Sequence, residues 1–257
     1  MNLHCLSDTH FEHMSPARIK NFWTTLEGKL LDSPSDIVVL AGDICQIHGH
    51  ENLWLEIMDR FCQLYQYVIY VKGNHEYYYS NFQYVDNFVA NNIDYLPEYS
   101  GLYDLDTRAV QINGVTFRGG TMWFPDSGYD PNKMYMQDFA VIKDLEPEVY
   151  ERHQDFVENV TVSLNKNDVV VTHHLPLPAC IAPQFEDSPL NRYFMADMTN
   201  NLVENKLPRL WINGHTHTPV DHIHTMGKSK MRSYCNPHGY PVEGSNPNFW
   251  DRVAITV

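Results

Sequence analysis

An α/β fold organised on a parallel sheet is predicted by three features of this 257-residue chain. Short buried-type strands alternate with amphipathic helical stretches from the N-terminus onward, the pattern that crossover connections require. The strands end in abrupt clusters of glycine, carboxylate, amide and imidazole. Finally, 43% hydrophobic and 13% aromatic content over this length allows a large core. With no repeat, linker or low-complexity tract in sight, residues 1–257 read as a single domain.

The first strand is Leu3-His4-Cys5-Leu6, followed by Ser7-Asp8-Thr9-His10-Phe11-Glu12. Two residues apart on extended chain, Asp8 and His10 would project the same way and could face one ion. Pro16 opens a helix whose stripe is Ile19, Phe22, Trp23, Leu26 and Leu30, a core-packing face. The second strand, Asp36 to Leu40, closes with Ala41-Gly42-Asp43. His48 and His50 fall in a polar loop and read as surface residues. A helix over 51–63 leads to a third strand, Tyr67 to Val71.

That strand ends in Lys72-Gly73-Asn74-His75-Glu76. Asparagine is a poor strand former, so a Gly-Asn-His-Glu turn is an odd construction for stability alone. In a parallel sheet ligands gather at the carboxyl ends of the strands. Asp8, His10, Asp43, Asn74 and His75 would all lie at that edge. The tyrosines 77–79 and Phe82 come next; helix packing is the plainer reading for them and a stacking wall for a base or aryl group the more pointed one.

From Asp94 the pattern changes to short strands over Tyr103–Leu105, Ala109–Ile112 and Val115–Gly119, with a hairpin signal at Asn113-Gly114, which suggests antiparallel addition. Residues 122–139 form a connection too long and aromatic to be idle, and make a candidate lid. A helix from about 147 to 165 precedes Val169 to Thr172, which ends in His173-His174-Leu175-Pro176. A second helix near 189–205 precedes Arg209 to Ile212, which ends in Asn213-Gly214-His215-Thr216-His217. Here a His-x-His in extended chain would again aim two imidazoles at one point. Strands over 220–224, 230–234 and 253–257 complete the chain, and loops 236–241 and 246–249 could pack beside the site.

Composition narrows the function classes. The formal net charge of −14, from 18 Lys and Arg against 32 Asp and Glu, argues against a large nucleic-acid footprint and against anionic membranes. A small phosphorylated substrate stays admissible, since bound cations would invert the field locally. The five cysteines form no Cys-x-x-Cys pair and read as buried free thiols. There is no run of about 20 apolar residues and no leader-like start, so a cytoplasmic location is expected.

Taken in chain order, Asp8-x-His10, Gly42-Asp43, Gly73-Asn74-His75-Glu76, His173 and Gly214-His215-x-His217 resemble the ordered signature of the calcineurin-like metallophosphoesterase superfamily, from residue 8 to 217. The length is similar to that of its small stand-alone bacterial and phage phosphohydrolases. The resemblance implies a four-layer α/β/β/α sandwich and two divalent ions. Asp8, His10, Asp43 and His217 would hold the first ion; Asp43, Asn74, His173 and His215 would hold the second, with Asp43 bridging. His174 would be a pocket or supporting group. His75 would contact the phosphate and assist the leaving group, so that His75, Asp43 and Asn74 form the catalytic set.

The donor types agree with this. Carboxylates, imidazoles and an amide oxygen suit manganese, with iron, zinc, cobalt or nickel as alternatives, and disfavour magnesium. Two ions about 3.5–4 Å apart can share a hydroxide and clamp phosphoryl oxygens. Glu76 and either Asp104 or Asp221 could orient ligand imidazoles. The superfamily's protein Ser/Thr phosphatases carry an Arg soon after the Gly-Asp motif, whereas here no Arg occurs until Arg60; its repair nucleases add a DNA-binding cap, for which this chain has neither length nor charge. The expected activity is therefore hydrolysis of a small phosphodiester or nucleotide. Phosphomonoesterase activity, including protein phosphatase activity, is the alternative within the class, and a non-catalytic scaffold on the same fold is the alternative outside it. The oligomeric state stays open.

Overall fold

Side chains alternate across each strand, and the four layers follow from where the alternating sets go. A computed structural model describes residues 1–93, 101–243 and 246–257; the first residues of the stretch expected to change pattern, 94–100, lie outside them. The first half of the chain runs β1 (Asn2–Leu6), α1 (Pro16–Asp32), β2 (Ile37–Ala41), α2 (Glu51–Leu64), β3 (Tyr67–Val71), α3 (Phe82–Ile93) and β4 (Gly101–Asp104). Then come β5 (Val110–Ile112), β6 (Val115–Gly120), α4 (Asp138–Val141), α5 (Glu148–Phe156), β7 (Asp168–Thr172), α6 (Asn191–Phe194), β8 (Leu210–Ile212), β9 (Val220–Met226), β10 (Ser229–Cys235) and β11 (Ala254–Thr256).

Two sheets result, one ordered β11-β1-β2-β3-β4 and the other β5-β6-β7-β8-β10-β9. In each, the inner strands are parallel and an antiparallel strand closes an edge. Ile37, Val39, Ile69 and Val71 from the first sheet meet Val169, Val171, Leu210 and Ile212 from the second in one core. Their neighbours Val38, Leu40, Val68 and Tyr70 face outward onto a helical layer carrying Phe22, Leu26, Trp54 and Phe61. Val170 and Trp211 face the other outer layer, with Phe156 and Val160. The architecture is thus α/β/β/α, with three hydrophobic seams.

Element by element the expectations hold with some corrections. α1 begins at Pro16, as a first-turn proline favours, and the Ser15 hydroxyl accepts from the Arg18 N–H. β4 is not an antiparallel addition: it pairs parallel to β3 in the first sheet, extending the strand–helix alternation by one unit. The antiparallel switch comes at β5–β6, where Asn113 and Gly114 both take positive φ (50° and 79°) in the tight turn. The helix expected near 189–205 is only the short α6 followed by 3₁₀ turns. There Leu175 pairs with Met195 in an isolated bridge, and Asp197 accepts from the Thr199 N–H, so the backbone has partners other than a helix. Likewise α5 stops at Phe156 and gives way to a π-helical turn over Val157–Thr161. All five cysteines are buried and none forms a disulfide, and among the described residues no helix is long and apolar enough to cross a membrane.

Candidate metal centre

The carboxyl ends of β1, β2, β3, β7 and β8 meet at one edge, where the loops of the two sheets interlock. The Asp8 and His10 N–H groups donate to the carbonyls of Gly42 and Asp43 (3.0 and 3.1 Å), so the loop after β1 runs along the loop after β2. Within the second sheet, Gly214 N–H donates to the His173 carbonyl (3.0 Å), and the next bond crosses to the first sheet. The His215 N–H donates to Asp8 Oδ1 (2.9 Å).

The route by which the paired ligands converge differs from the expectation of extended chain. Asp8, His10, Asp43, His215 and His217 all have positive φ, between 45° and 71°. For non-glycine residues such backbone is uncommon and concentrated at functional sites. The loops after β1, β2 and β8 therefore coil left-handed just past their strands, and this curl turns Asp8 with His10, and His215 with His217, inward. Gly42 shares the conformation (φ 85°) and has a second reason to be glycine: a Cβ there would lie 2.3 Å from His173 Nδ1.

Two clusters of ligating atoms form, joined through His10 and Asp43. Asp8, His10 and His217 make one group, and Asp43, His173 and His215 another. His10 Nε2 lies 3.1 Å from His217 Nε2, and His217 Nε2 lies 3.6 Å from Asp8 Oδ1. On the other side His173 Nε2 is 3.0 Å from Asn74 Oδ1 and 3.3 Å from Asp43 Oδ2. Asp43 Oδ2 also lies 3.9 Å from His10 Nε2 and 4.0 Å from His75 Nε2, which puts one carboxylate oxygen between the clusters.

The hydrogen bonds behind these groups decide what the inward atoms are. His173 Nδ1 donates to the Ala41 carbonyl (2.9 Å), so in the neutral ring Nε2 carries a lone pair. Asn74 Nδ2 donates to Asp138 Oδ1 (2.8 Å), which turns its oxygen inward. His217 Nδ1 is held by Glu243 Oε2 (2.7 Å), and His10 Nδ1 faces Glu12 Oε1 (3.4 Å). Lone pairs of nitrogen and oxygen thus point at one another at close range, an arrangement that only a proton or a metal ion can reconcile. Among the described residues, buried Asp8 Oδ2 and His215 Nε2 have no hydrogen-bond partner. This donor set fits divalent cations, and the carboxylate–imidazole pairs behind the ligands are those that fix ring orientation at metal sites.

The electrostatics point the same way. Burial alone would lower the pKa of His173, but the Asp43 charge overcomes it and the group is raised to about 10. His10 is raised too, with burial opposed by the Glu12 hydrogen bond and the Asp43 charge. The buried carboxylates draw positive charge into this edge. His75 is lowered to about 3, chiefly by burial, although Asp43 pulls the other way.

His75 shares the group that links the two clusters, with His10 and Asp43, and lines the cavity beside them. Its ring stacks on Tyr78 (centroids 4.0 Å apart), its N–H donates to Asp43 Oδ1 (2.9 Å), and its Nε2 faces the Tyr240 hydroxyl at 3.0 Å. The tyrosine run divides three ways. Tyr77 is core, against Phe82 and Trp123; Tyr78 supports His75 and donates to Asp138 (2.8 Å); Tyr79 is half exposed.

The supporting groups differ from those expected. Glu76 orients no imidazole: it accepts from the N–H groups of Gly73, Asp43 and Ile44 (2.7, 3.0 and 2.8 Å), tying the β2 and β3 loops together. Asp104 accepts from the buried Lys72 ammonium (2.7 Å), and Asp221 pairs with Arg232 near the surface. Glu12, Asp138, Glu243 and the Ala41 carbonyl do the orienting. Glu12 was discoverable, standing two residues beyond His10; Tyr240, Glu243 and Asp138 belong to no spacing pattern and reach the site only through folding. His174 is buried beside His215 and Trp123, with Nδ1 held by the Thr121 carbonyl.

A cavity of about 440 Å³ opens on Asp43, Asn74, His75, His215 and His217. Residues 135–138, from the connection read as a lid, line one side; the start of that connection, Met122 to Phe124, is buried core.

A family model described as calcineurin-like phosphoesterase matches residues 1–219. The uncharacterized protein L509 of Acanthamoeba polyphaga mimivirus is 25% identical over 276 residues, covering 93% of this chain and 95% of that protein. The crystal structure of phosphopantetheinyl hydrolase (PptH) from Mycobacterium tuberculosis aligns with a TM-score of 0.63 at 17% identity, over 97% of this chain and 94% of that one. A dimetal phosphatase from Danio rerio aligns with a TM-score of 0.52 at 14% identity, over 91% and 86%. These structural likenesses are likenesses of fold.

Proposed function

The chain belongs to the calcineurin-like phosphoesterase family and is a metal-dependent phosphoester hydrolase, and from that premise we propose that it works with two divalent ions on a small phosphodiester or nucleotide. The observation that carries the dinuclear reading is Asp43 Oδ2, set between imidazole nitrogens of both clusters at 3.3 and 3.9 Å. Asp8, His10, Asp43 and His217 would hold one ion and Asp43, Asn74, His173 and His215 the other, manganese being the first choice for this donor set. When bound, such ions acidify water toward neutral pKa and offset charge on the phosphoryl oxygens.

In hydrolysis the water oxygen bonds to phosphorus, the ester P–O bond breaks, and the departing oxygen takes a proton. His75, kept neutral by burial, is the chain's own group placed to hydrogen-bond the departing oxygen during that exchange. Its Nε2 lies 3.0 Å from the hydroxyl of Tyr240, another residue of the cavity lining, so it can hydrogen-bond a phosphoryl or leaving-group oxygen there. Stacking on Tyr78 and the N–H bond to Asp43 keep the ring in that position.

A diester is favoured over a monoester because no Lys or Arg lines the cavity among the described residues. The dianion of a monoester would lack the guanidinium partner that best fits it; Arg60, the first Arg after the Gly-Asp motif, pairs with Glu27 instead. Turnover of bis-p-nitrophenyl phosphate against p-nitrophenyl phosphate with added manganese tests the choice: faster diester turnover is expected, and a pure monoesterase would overturn it. Metal analysis of the purified protein separates the enzyme from a scaffold, which would neither retain nor bind transition metal.

A further inference from the structure

We infer that the cavity beside the candidate metal centre seats an uncharged aromatic arm of the substrate, and so sets which phosphoester is accepted. This rests on the hydrolytic reading above and adds the substrate class.

The wall opposite the clustered histidines is apolar. Leu175, Ile181, Phe185, Leu190 and Phe194 come from the connection after β7, and Met136 faces them from the connection before α4. Phe194 lies 4.5 Å, ring to ring, from His215, so the apolar wall reaches the metal edge without a break. A phosphoryl group at that edge would therefore project an ester substituent against this wall.

The wall is also built. The Leu175 N–H donates to the Phe194 carbonyl and the Ala196 N–H to the Leu175 carbonyl, both at 3.0 Å. The Tyr193 hydroxyl donates to Asp130 Oδ2 (2.8 Å), and Arg192 reaches the same oxygen at 3.0 Å, latching the two connections together. At the rim Phe185 and Tyr135 are 48% and 69% exposed. Large apolar side chains beside an apolar cavity gain by covering an apolar ligand.

Charge decides the polarity of the arm. The charged side chains that line the cavity are Asp43, Asp138 and Glu243, all acidic, with no cation among the described lining residues. A second anionic group on the arm would find no Lys or Arg among the described lining residues to pair with it, whereas an aryl group meets the apolar wall. About 440 Å³ accommodates a substituted aromatic ring and excludes a macromolecular chain as the bound portion.

Phosphinates carry one negative charge and have no ester bond to break, so they report binding without turnover. Calorimetric titration of the manganese-loaded protein with diphenylphosphinate and dimethylphosphinate should give at least roughly tenfold tighter binding for the diphenyl compound. Phe185→Ser should lower that preference about threefold or more, and Phe185→Leu should restore most of it. Because Phe185 is half exposed, neither change removes core. Equal affinities for the two compounds, or a preference untouched by Phe185→Ser, would overturn the inference. Should the diphenyl preference hold while bis-p-nitrophenyl phosphate is not hydrolysed, the pocket stands and the hydrolytic reading falls; the reverse pattern sinks the pocket alone.

Discussion

His75 and Asp43 occupy adjacent positions in the site but are built for different work. Asp43 is buried under imidazoles from two sheets, and its Oδ2 is the shared atom. Asp43→Asn removes the charge that draws both ions, so metal analysis should find both contents reduced. Retention of two ions per chain would count against the bridging role. His75, by contrast, belongs to neither Asp8–His10–His217 nor Asp43–His173–His215 but to the group that links them through His10 and Asp43. His75→Ala is expected to keep its metal and lose about 10²- to 10⁴-fold in kcat/KM, the usual span for a positioned acid–base group. A fully active variant would remove His75 from the mechanism. At this scale much was legible: an imidazole or carboxylate just past a buried strand has few structural reasons to be there. The groups that hold those ligands were not legible, because Glu243 and Asp138 reach His217 and Asn74 from elements with no patterned spacing to them.

The strand end is the element that does the positioning, and after β1, β2 and β8 a left-handed curl returns the ligand to the edge. Gly42 sits in one of these turns, with φ 85° and His173 Nδ1 2.3 Å from where a Cβ would stand. Gly42→Ala should cost about 1–3 kcal/mol from backbone strain alone, and should also push the His173 ring away from Asp43. Lowered thermal stability with weakened metal binding is the expected pair of results. Loss of stability with full metal content would show that the ring can move aside. The extended Asp-x-His and His-x-His geometry failed for a physical reason. Period-two projection applies within a strand, while these residues lie beyond its last ladder bond, where φ is free to change sign. The shortened helix near 189–205 is a similar case, since Leu175 supplies a competing backbone partner that sequence proximity does not show.

Across the whole molecule, the two sheets must hold their carboxyl edges in register for the site to exist. A buried charge cluster lies behind that edge: Lys72 Nζ is 2.7 Å from Asp104, 3.3 Å from Asp106 and 3.7 Å from Asp86. Asp106 in turn accepts from the Thr121 N–H (2.7 Å) just after β6, so the network ties the first sheet to the second. Lys72→Met leaves three carboxylates without their common cation, and breaking a buried pair in this way typically costs about 3–5 kcal/mol. A chemical denaturation series should show that loss. A change below about 1 kcal/mol, the scale of a surface pair, would mean that water enters and replaces the ammonium.

The sequence by itself determined the strand–helix alternation, the layered hydrophobic faces and the chain order of Asp8, His10, Asp43, Asn74, His75, His173, His215 and His217, because strand periodicity and strand-end chemistry are local properties. Tertiary structure alone decided the rest: the parallel placement of β4, the left-handed loops, the carboxylates and carbonyl that aim each imidazole, and the apolar wall beside the metal edge. Those depend on contacts between residues tens to hundreds of positions apart. Such contacts form only when two sheets close on one another.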